Sequence, residues 1–366
     1  MTLSIRFALV SALDLRTTEL ERELKNMPTF GINGFGRIGR NVFRAMTPEQ
    51  RKCVVAVNDL TDNKTLAHLL KWDSTSGKLK GLGVGDHAEI SYDDTSITVD
   101  GHKIRVYEER DPAKLPWSEH EVDVVLESTG FFTAREKAEL HITNGGAKKV
   151  LISAPGKNVD LTMCLGINSD QYNGAEHHVV SNASCTTNCL TPMVKVLNDS
   201  FGVVRGVMST IHSYTGDQRL LDTPHTDLRR ARSAAVNIIP SSTGAARAIG
   251  EVIPELKGKL NGGAFRVPTP TGSVTDFTAQ LREKTTVEEM NAKFKEAAEG
   301  QLKGILEYSE EEPVLMDIVG NPHSCILDAD LTLEMGGDLV KVVGWYDNEW
   351  GFACRMCDLA NYLGKI

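Results

Sequence analysis

The chain has 366 residues, of which 41% are hydrophobic and 24% charged, with a formal net charge of −9. The length exceeds what a single core usually fills, so about two domains are expected, and the acidic balance excludes the broad basic face of a general nucleic-acid binder, although a few placed arginines could still hold an anionic substrate. Seven cysteines, an odd number in a long chain, suit reduced thiols in the cytoplasm better than a secreted disulfide framework, and no apolar run reaches the roughly 18 residues of a membrane span.

Residues 1–27 read as an N-terminal extension, a short helix or a tail. Ile5 to Leu13 is mildly apolar, but Asp14 and the run from Glu19 to Glu23 follow directly, which is not the pattern of a secretory signal or a transit peptide. Met27 is an alternative start.

The strand-like Phe30-Gly31-Ile32-Asn33 leads into Gly34-Phe35-Gly36-Arg37-Ile38-Gly39. A helical pattern follows, with Ile38, Val42, Phe43 and Met46 on one face, and then an apolar strand over 53–57 that ends at Asn58-Asp59. This strand, glycine turn, helix, strand and acidic residue form a dinucleotide-binding unit. Gly34 permits the tight turn, Gly36 lets the backbone approach a pyrophosphate, and Gly39 lets helix and strand pack closely. The helix N-terminus holds phosphate. Asp59 is expected to accept from the ribose hydroxyls and to repel a 2′-phosphate, favouring NAD over NADP.

Between Ile90 and Val106 apolar residues recur mostly at alternate positions, with Asp100-Gly101 at a hairpin turn, which predicts an antiparallel insertion. The strands Val122–Leu126 and Lys149–Ile152 extend the sheet. Their ends, at Thr129-Gly130 and Ser153-Ala154, are candidate cofactor contacts, because ligands of open α/β sheets bind beyond the carboxyl ends of the strands.

Ser181 to Asn188 places Cys185 between small and hydroxylated residues, before a helix predicted to begin near Thr186, with Pro192 inside it as a candidate kink in its early part. Unpaired N–H groups and the positive end of the helix dipole there favour a thiolate nucleophile. A strand over Val203–Ile211 then delivers His212, the obvious base for Cys185. Cys185/Cys189 and Cys354/Cys357 carry zinc-like spacings, but both pairs fall in helical runs without histidine at ligand spacing, so no metal site is expected.

An arginine-rich loop follows at 227–232. The segment 238–246 offers hydroxyls and free N–H groups at a helix start, suited to an oxyanion. Arg266 stands alone in an apolar, proline-bounded strand, where a cation needs an anionic partner. Strands over Val274–Leu281, Leu331–Leu333 and Leu339–Val343, a helix over Val287–Gly300 and a C-terminal helix complete the pattern. The expected fold is an α/β Rossmann-type NAD-binding domain plus an α+β catalytic domain with a mainly antiparallel sheet. The expected boundaries are 28–184 with 348–366 for the first domain and 185–347 for the second.

Asn33 to Arg40, Ser181 to Asn188, Asp227 to Arg232, Arg266 to Pro270 and Trp345 to Gly351 together resemble the phosphorylating glyceraldehyde-3-phosphate dehydrogenase family, over nearly everything from Phe30 onward. The resemblance implies NAD-dependent oxidative phosphorylation of D-glyceraldehyde 3-phosphate to 1,3-bisphosphoglycerate, a step of glycolysis and gluconeogenesis, through a hemithioacetal and thioester on Cys185, with His212 as base. It implies a substrate-phosphate site at Thr215, Asp217 and Arg266, an inorganic-phosphate site at Ser184, Thr186, Thr243 and Gly244, and Arg230 shared between them. It implies cofactor contacts along Gly34, Phe35, Gly36, Arg37 and Ile38 and at Asp59, Thr129, Ser153 and Asn348, and a cytoplasmic homotetramer whose Ser213–Val236 loop lies at a subunit interface. Membrane and nucleic-acid partners are not expected.

Three positions depart from the family pattern: the extension, Phe352 where tyrosine is common, and Thr223-Pro224 beside the adenosine pocket. The rival readings are erythrose-4-phosphate dehydrogenase, a cysteine hydrolase without a nucleotide, and a non-catalytic NAD-binding redox sensor.

Overall fold

A computed structural model describes residues 27–81 and 87–365; the expected extension lies outside the described residues apart from Met27. Two sheets organise the chain. The first has nine strands, in the spatial order Leu161–Thr162, Val179–Ser181, Lys149–Ile152, Val124–Glu127, Phe30–Asn33, Val54–Asn58, His102–Tyr107, Ser96–Val99 and Ile90–Asp93. All pairings are parallel up to His102–Tyr107, and the last two strands turn back as antiparallel hairpins. The alternation over 90–106 thus forms antiparallel strands within the first sheet. It continues the same sheet, because His102–Tyr107 pairs in parallel with Val54–Asn58.

The first sheet is covered on both faces, as parallel sheets require. Phe30 and Ile32 point to a core shared with Val42 and Phe43 of the helix Arg37–Ala45 and with Met356, Leu359 and Leu363 of the C-terminal helix Trp350–Lys365. Val125, Val150 and Ile152 pack on the other side with Trp117 and Ala138. The chain's last helix therefore completes the first half's core, although some 150 residues of second-sheet structure intervene.

The second sheet has seven strands, in the order Ile239–Ser241, Leu260–Val267, Val203–Ser213, Ser273–Leu281, Leu339–Tyr346, Cys325–Met335 and Leu306–Ser309. It is mixed. Val203–Ser213 with Leu260–Val267 and Leu306–Ser309 with Cys325–Met335 are parallel, and the other four pairings are antiparallel. The strands Ile239–Ser241 and Leu306–Ser309 were not predicted; each is short and lacks clean alternation. The helices Cys185–Phe201, Ala245–Val252 and Val287–Glu299 share a core with one face of this sheet. Thr286 and Glu289 cap the last of these reciprocally. Pro192 sits within the first turns of Cys185–Phe201, and the helix is continuous through it.

Among the described residues no helix is long and apolar enough to cross a membrane, and no group of His, Cys, Asp or Glu could hold a metal ion. Cys185 and Cys189 lie in one helix and Cys354 and Cys357 in another, all as free thiols.

Candidate active site

The helix that carries Cys185 starts one residue earlier than the sequence pattern indicates, at Cys185 itself. Ser184 is its N-cap and accepts from Thr187 N at 3.1 Å. Ahead of it the backbone makes a sharp turn through Ala183 at φ +53°, a conformation that L-residues adopt at a cost. The turn is braced: Asn188 Nδ2 donates to Asn182 O at 2.8 Å and to Ser184 O at 3.1 Å, and Ala183 N donates to Ser181 Oγ at 3.0 Å. The Asn188 amide is thereby spent on holding this turn.

Cys185 Sγ lies 3.5 Å from His212 Nε2. His212 is next to last in the strand Val203–Ser213 and is 4% exposed. Its Nδ1 lies 2.7 Å from Ser213 O and 2.9 Å from Arg266 Nη1. A carbonyl only accepts and a guanidinium only donates, so Nδ1 serves one of them at a time. Arg266 Nη1 already donates to Ser213 O at 2.9 Å and Thr215 Oγ1 at 3.1 Å, so we assign the Nδ1 proton to the carbonyl bond. This tautomer turns the Nε2 lone pair toward the thiol.

Burial, and then the Arg266 charge, push His212 down to about 3. Burial also pushes the Cys185 thiol up, against the lowering effects of Arg266 and the Thr186 hydrogen bonds. Cys185 is only part-buried by surface exposure, which softens that push. The resting pair is therefore neutral thiol and neutral imidazole, not the preformed thiolate that the helix position alone suggested.

Arg266 sits beside His212 because the strands Leu260–Val267 and Val203–Ser213 run in parallel with His212 opposite Arg266. It joins Thr215, whose hydroxyl bonds Asp217, and Asp217 in turn pairs with Arg230. Arg266 Nε is buried without a hydrogen-bond partner among the described residues, and Arg230 Nε has only an ion-pair contact with Asp227 Oδ2 at 3.6 Å. The buried Arg266 N–H is an unmet demand for an acceptor, which a phosphate meets.

Gly244 caps the helix Ala245–Val252 with no side-chain bond, and Thr243 Oγ1 accepts from Ala245 N at 3.1 Å. Thr186 is different: its hydroxyl is buried against Tyr346 at 2.9 Å, leaving its backbone as the part that could face an anion. Tyr346 was not anticipated. It ends the strand Leu339–Tyr346, bonds Thr186 and Thr210 (2.8 Å), and stands edge-on to His212 with ring centroids 5.9 Å apart. Its signal was its place at the end of an apolar strand, just before Asp347-Asn348.

On the first sheet, Gly34 turns at φ +89°, and a Cβ there would meet Thr129 N at 2.7 Å. A Cβ on Gly39 would meet Gly34 O at 2.1 Å, so turn and helix touch backbone to backbone. Gly36 caps the helix Arg37–Ala45 without a side-chain bond, and the space before it is open. Asp59 accepts from Phe35 N at 2.8 Å and Thr61 N at 3.0 Å. These residues open onto a cleft of about 430 Å³ lined also by Leu60, Arg110, Thr129 and Phe131. Free helix N–H groups and an acidic residue fit a pyrophosphate and an adenosine ribose. Leu60, Arg110 and Phe131 were missed, since their loops carry no pattern.

Phe35 packs inward against Phe43, and Ile38 packs against the same core, so both would meet a cofactor through backbone only. The Arg37 side chain is engaged with Glu349, Asp73 and Thr75. Burial opposes its charge, but the Glu349 and Asp73 carboxylates outweigh that and hold it above its ordinary value. Ser153 ends its strand with its N–H bonded to Glu127 O at 3.0 Å. Asn348 is buried with Oδ1 accepting from Ser213 Oγ at 2.9 Å and Ser273 Oγ at 3.1 Å. This orients its amide NH₂ as the end left to donate.

A glycine-turn dinucleotide cleft and a cysteine–histidine pair flanked by two arginines, one with an unsatisfied buried N–H, define an NAD-dependent aldehyde dehydrogenase that works through a thiol. The family model for glyceraldehyde 3-phosphate dehydrogenase, NAD binding domain, matches residues 29–135, and that for the C-terminal domain of the same enzyme matches 184–348. Curated proteins named glyceraldehyde-3-phosphate dehydrogenase are similar at full length. That of Streptomyces coelicolor is 56% identical over 337 residues, and the one from Geobacillus stearothermophilus and number 1 of Bacillus subtilis are each 58% identical over 335; the alignments span 92% of this chain and 98% of each relative. The chain belongs to the glyceraldehyde-3-phosphate dehydrogenase family, and its cofactor is NAD.

Proposed function

We propose that the protein converts D-glyceraldehyde 3-phosphate and inorganic phosphate to 1,3-bisphosphoglycerate with NAD, using Cys185 as nucleophile and His212 as base. The observation that carries this is the 3.5 Å contact between Cys185 Sγ and His212 Nε2, beside the unpaired Arg266. Family membership supports the substrate. Arg266, Thr215, Asp217 and Arg230 would bind the substrate phosphate, fixing C1 at the thiol. Ser184, the Thr186 backbone, Thr243 and Gly244 would bind the attacking phosphate.

As Cys185 adds to the aldehyde, its proton passes by way of His212 Nε2 to the forming alkoxide, leaving a hemithioacetal hydroxyl and a free Nε2. The hemithioacetal hydroxyl then gives its proton to Nε2 as the carbon is oxidised. NAD, when bound, supplies the two-electron acceptor; Gly34 to Ile38, Asp59, Thr129, Ser153 and Asn348 would hold it. The resulting Cys185 thioester is cleaved by phosphate, and the thiol leaves, reclaiming a proton from His212.

We read 28–184 with 348–366 as the cofactor domain and 185–347 as the catalytic domain, supported by the separate cores. A homotetramer, which we read as cytoplasmic, is supported as an assembly by apolar residues standing exposed on the second sheet (Val207, Leu333, Met335) and on the Ser213–Val236 loop (Leu220, Leu228).

The test is NADH formation from glyceraldehyde 3-phosphate with and without phosphate, beside erythrose 4-phosphate. Phosphate-dependent turnover of the triose supports the reading, and preference for the tetrose rejects it. Two variants sharpen it. Arg266→Lys, which loses the planar fork, should raise KM for the triose phosphate roughly 10- to 100-fold, with a much smaller loss on glyceraldehyde lacking the phosphate. Asp59→Asn keeps an acceptor but removes the charge. Comparing kcat/KM for the two cofactors, it should narrow the preference for NAD over NADP by about tenfold or more; an unchanged ratio would show that Asp59 does not set it.

A further inference from the structure

Three polar residues stand abreast at the carboxyl ends of three adjacent parallel strands. Register sets Asn33 opposite Asn58 on one side and Glu127 on the other, and all three are nearly fully buried, at 1%, 4% and 1% exposure. They are joined in one row. Asn58 Nδ2 donates to Asn33 Oδ1 at 2.7 Å, and Asn33 Nδ2 donates to Glu127 Oε2 at 2.6 Å.

His141, with no exposed surface, closes the row from the helix Leu140–Thr143, its Nε2 3.0 Å from Glu127 Oε2. Its other nitrogen, Nδ1, accepts from Trp117 Nε1 at 2.9 Å. The indole can only donate, so the imidazole proton sits on Nε2 and points at the carboxylate.

Such a row is expensive in an interior that apolar residues would fill at less cost. Its ends explain its position. Glu127 Oε1 accepts from Thr129 N at 2.9 Å and from the Thr129 hydroxyl, and Thr129 is one wall of the dinucleotide cleft. At the far end Asn58 grips the opposite wall, donating to Glu109 O at 2.8 Å and accepting from Glu109 N at 2.8 Å. Both walls are thus tied to one buried carboxylate, and that carboxylate is oriented by a histidine that does not line the cleft.

We infer that His141 is a positioning residue for NAD: through Glu127 it sets the separation of the Thr129 and Glu109 walls that receive the adenosine half of the cofactor. The inference rests on reading this cleft as the dinucleotide pocket.

The test uses the full-length protein with His141→Phe and His141→Gln, titrated with NAD and with ADP-ribose, together with kcat, KM for NAD and Tm. His141→Phe leaves Glu127 one donor short and should weaken both NAD and ADP-ribose by about tenfold or more. Its kcat at saturating NAD should stay within about twofold. His141→Gln, which can accept from Trp117 and donate to Glu127, should recover most of the affinity. A purely structural residue would lower Tm and leave both dissociation constants unchanged, and that result overturns the inference. If His141→Phe fails to fold, Asn58→Ala at the other end carries the same expectation, and unchanged affinity there overturns it equally. Asp59→Asn separates the two levels: if it leaves NAD affinity and cofactor preference untouched in the wild-type background, the pocket is misassigned and the inference falls with it.

Discussion

Cys185→Ser should lower NADH formation by roughly 10⁴-fold or more while NAD affinity stays near that of the wild type. The substitution is nearly isosteric and leaves the Ser184 cap and the Asn188 brace untouched, so the helix and the cleft should survive it. What disappears is the sulfur. A hydroxyl is a far weaker nucleophile near neutral pH and has no route to the thioester that phosphate must cleave. Steady-state assays beside a cofactor titration decide the matter: activity within tenfold of wild type would remove Cys185 from the reaction.

The same thiol should also stand out chemically. Burial pushes Cys164 and Cys354 up to about 12, and Cys189 and Cys357 well above the ordinary thiol value. Part-exposed Cys185 is opposed by Arg266 and Thr186 as it rises. It should be alkylated first by iodoacetamide, at a rate that climbs with pH above neutrality instead of levelling off near pH 7, because its thiolate must be formed against burial. A plateau at neutral pH would mean a preformed ion pair with His212.

His212→Asn should slow oxidation of the bound aldehyde by about 10²–10⁴-fold, since the hemithioacetal proton loses its acceptor. Pre-steady-state NADH formation at saturating substrate measures this, and an unchanged burst rate would exclude His212 as the base. The variant should also change acid stability, with a sign that follows from linkage. The folded protein holds His212 at about 3, below its unfolded value near 6.5, so between these values the unfolded chain binds the proton and the folded one does not. His212 therefore contributes stability fully above about pH 6.5 that is lost as pH falls toward 3. Asparagine carries no proton, so the variant's denaturation midpoint should fall less steeply than the wild type's across that window. Parallel curves would mean that the imidazole is not held neutral.

Short-range signals carried much of this. The glycine turn was legible because each glycine answers a local need, and Gly34 and Gly39 do press backbone on backbone. Cys185 and His212 were legible from flanking residues, one at a helix start and one at a strand end. The zinc-like cysteine pairs lie in helices, as their flanking patterns indicated. Pairing between distant segments was not legible. The 90–106 alternation reports half-buried strands and not their neighbour, and the parallel partner, Val54–Asn58, lies far away in sequence. Thr186 entered through the family resemblance, and its spacing gave no sign that its hydroxyl turns to Tyr346, 160 residues away.

The sequence by itself determined the chemistry available: a glycine-turn phosphate cradle, an acidic residue at the next strand's end, one thiol at a helix start and one arginine in an apolar strand. Those depend on contacts within a turn or two of the chain. Only the tertiary structure decided how the groups act together. Parallel pairing set Arg266 against His212, and burial favours the neutral forms of Cys185 and His212. The same pairing aligned Asn58, Asn33 and Glu127 beneath the cofactor cleft for His141 to hold. Register between distant strands and the depth at which a charge is buried are properties of packing, and no local spacing encodes them.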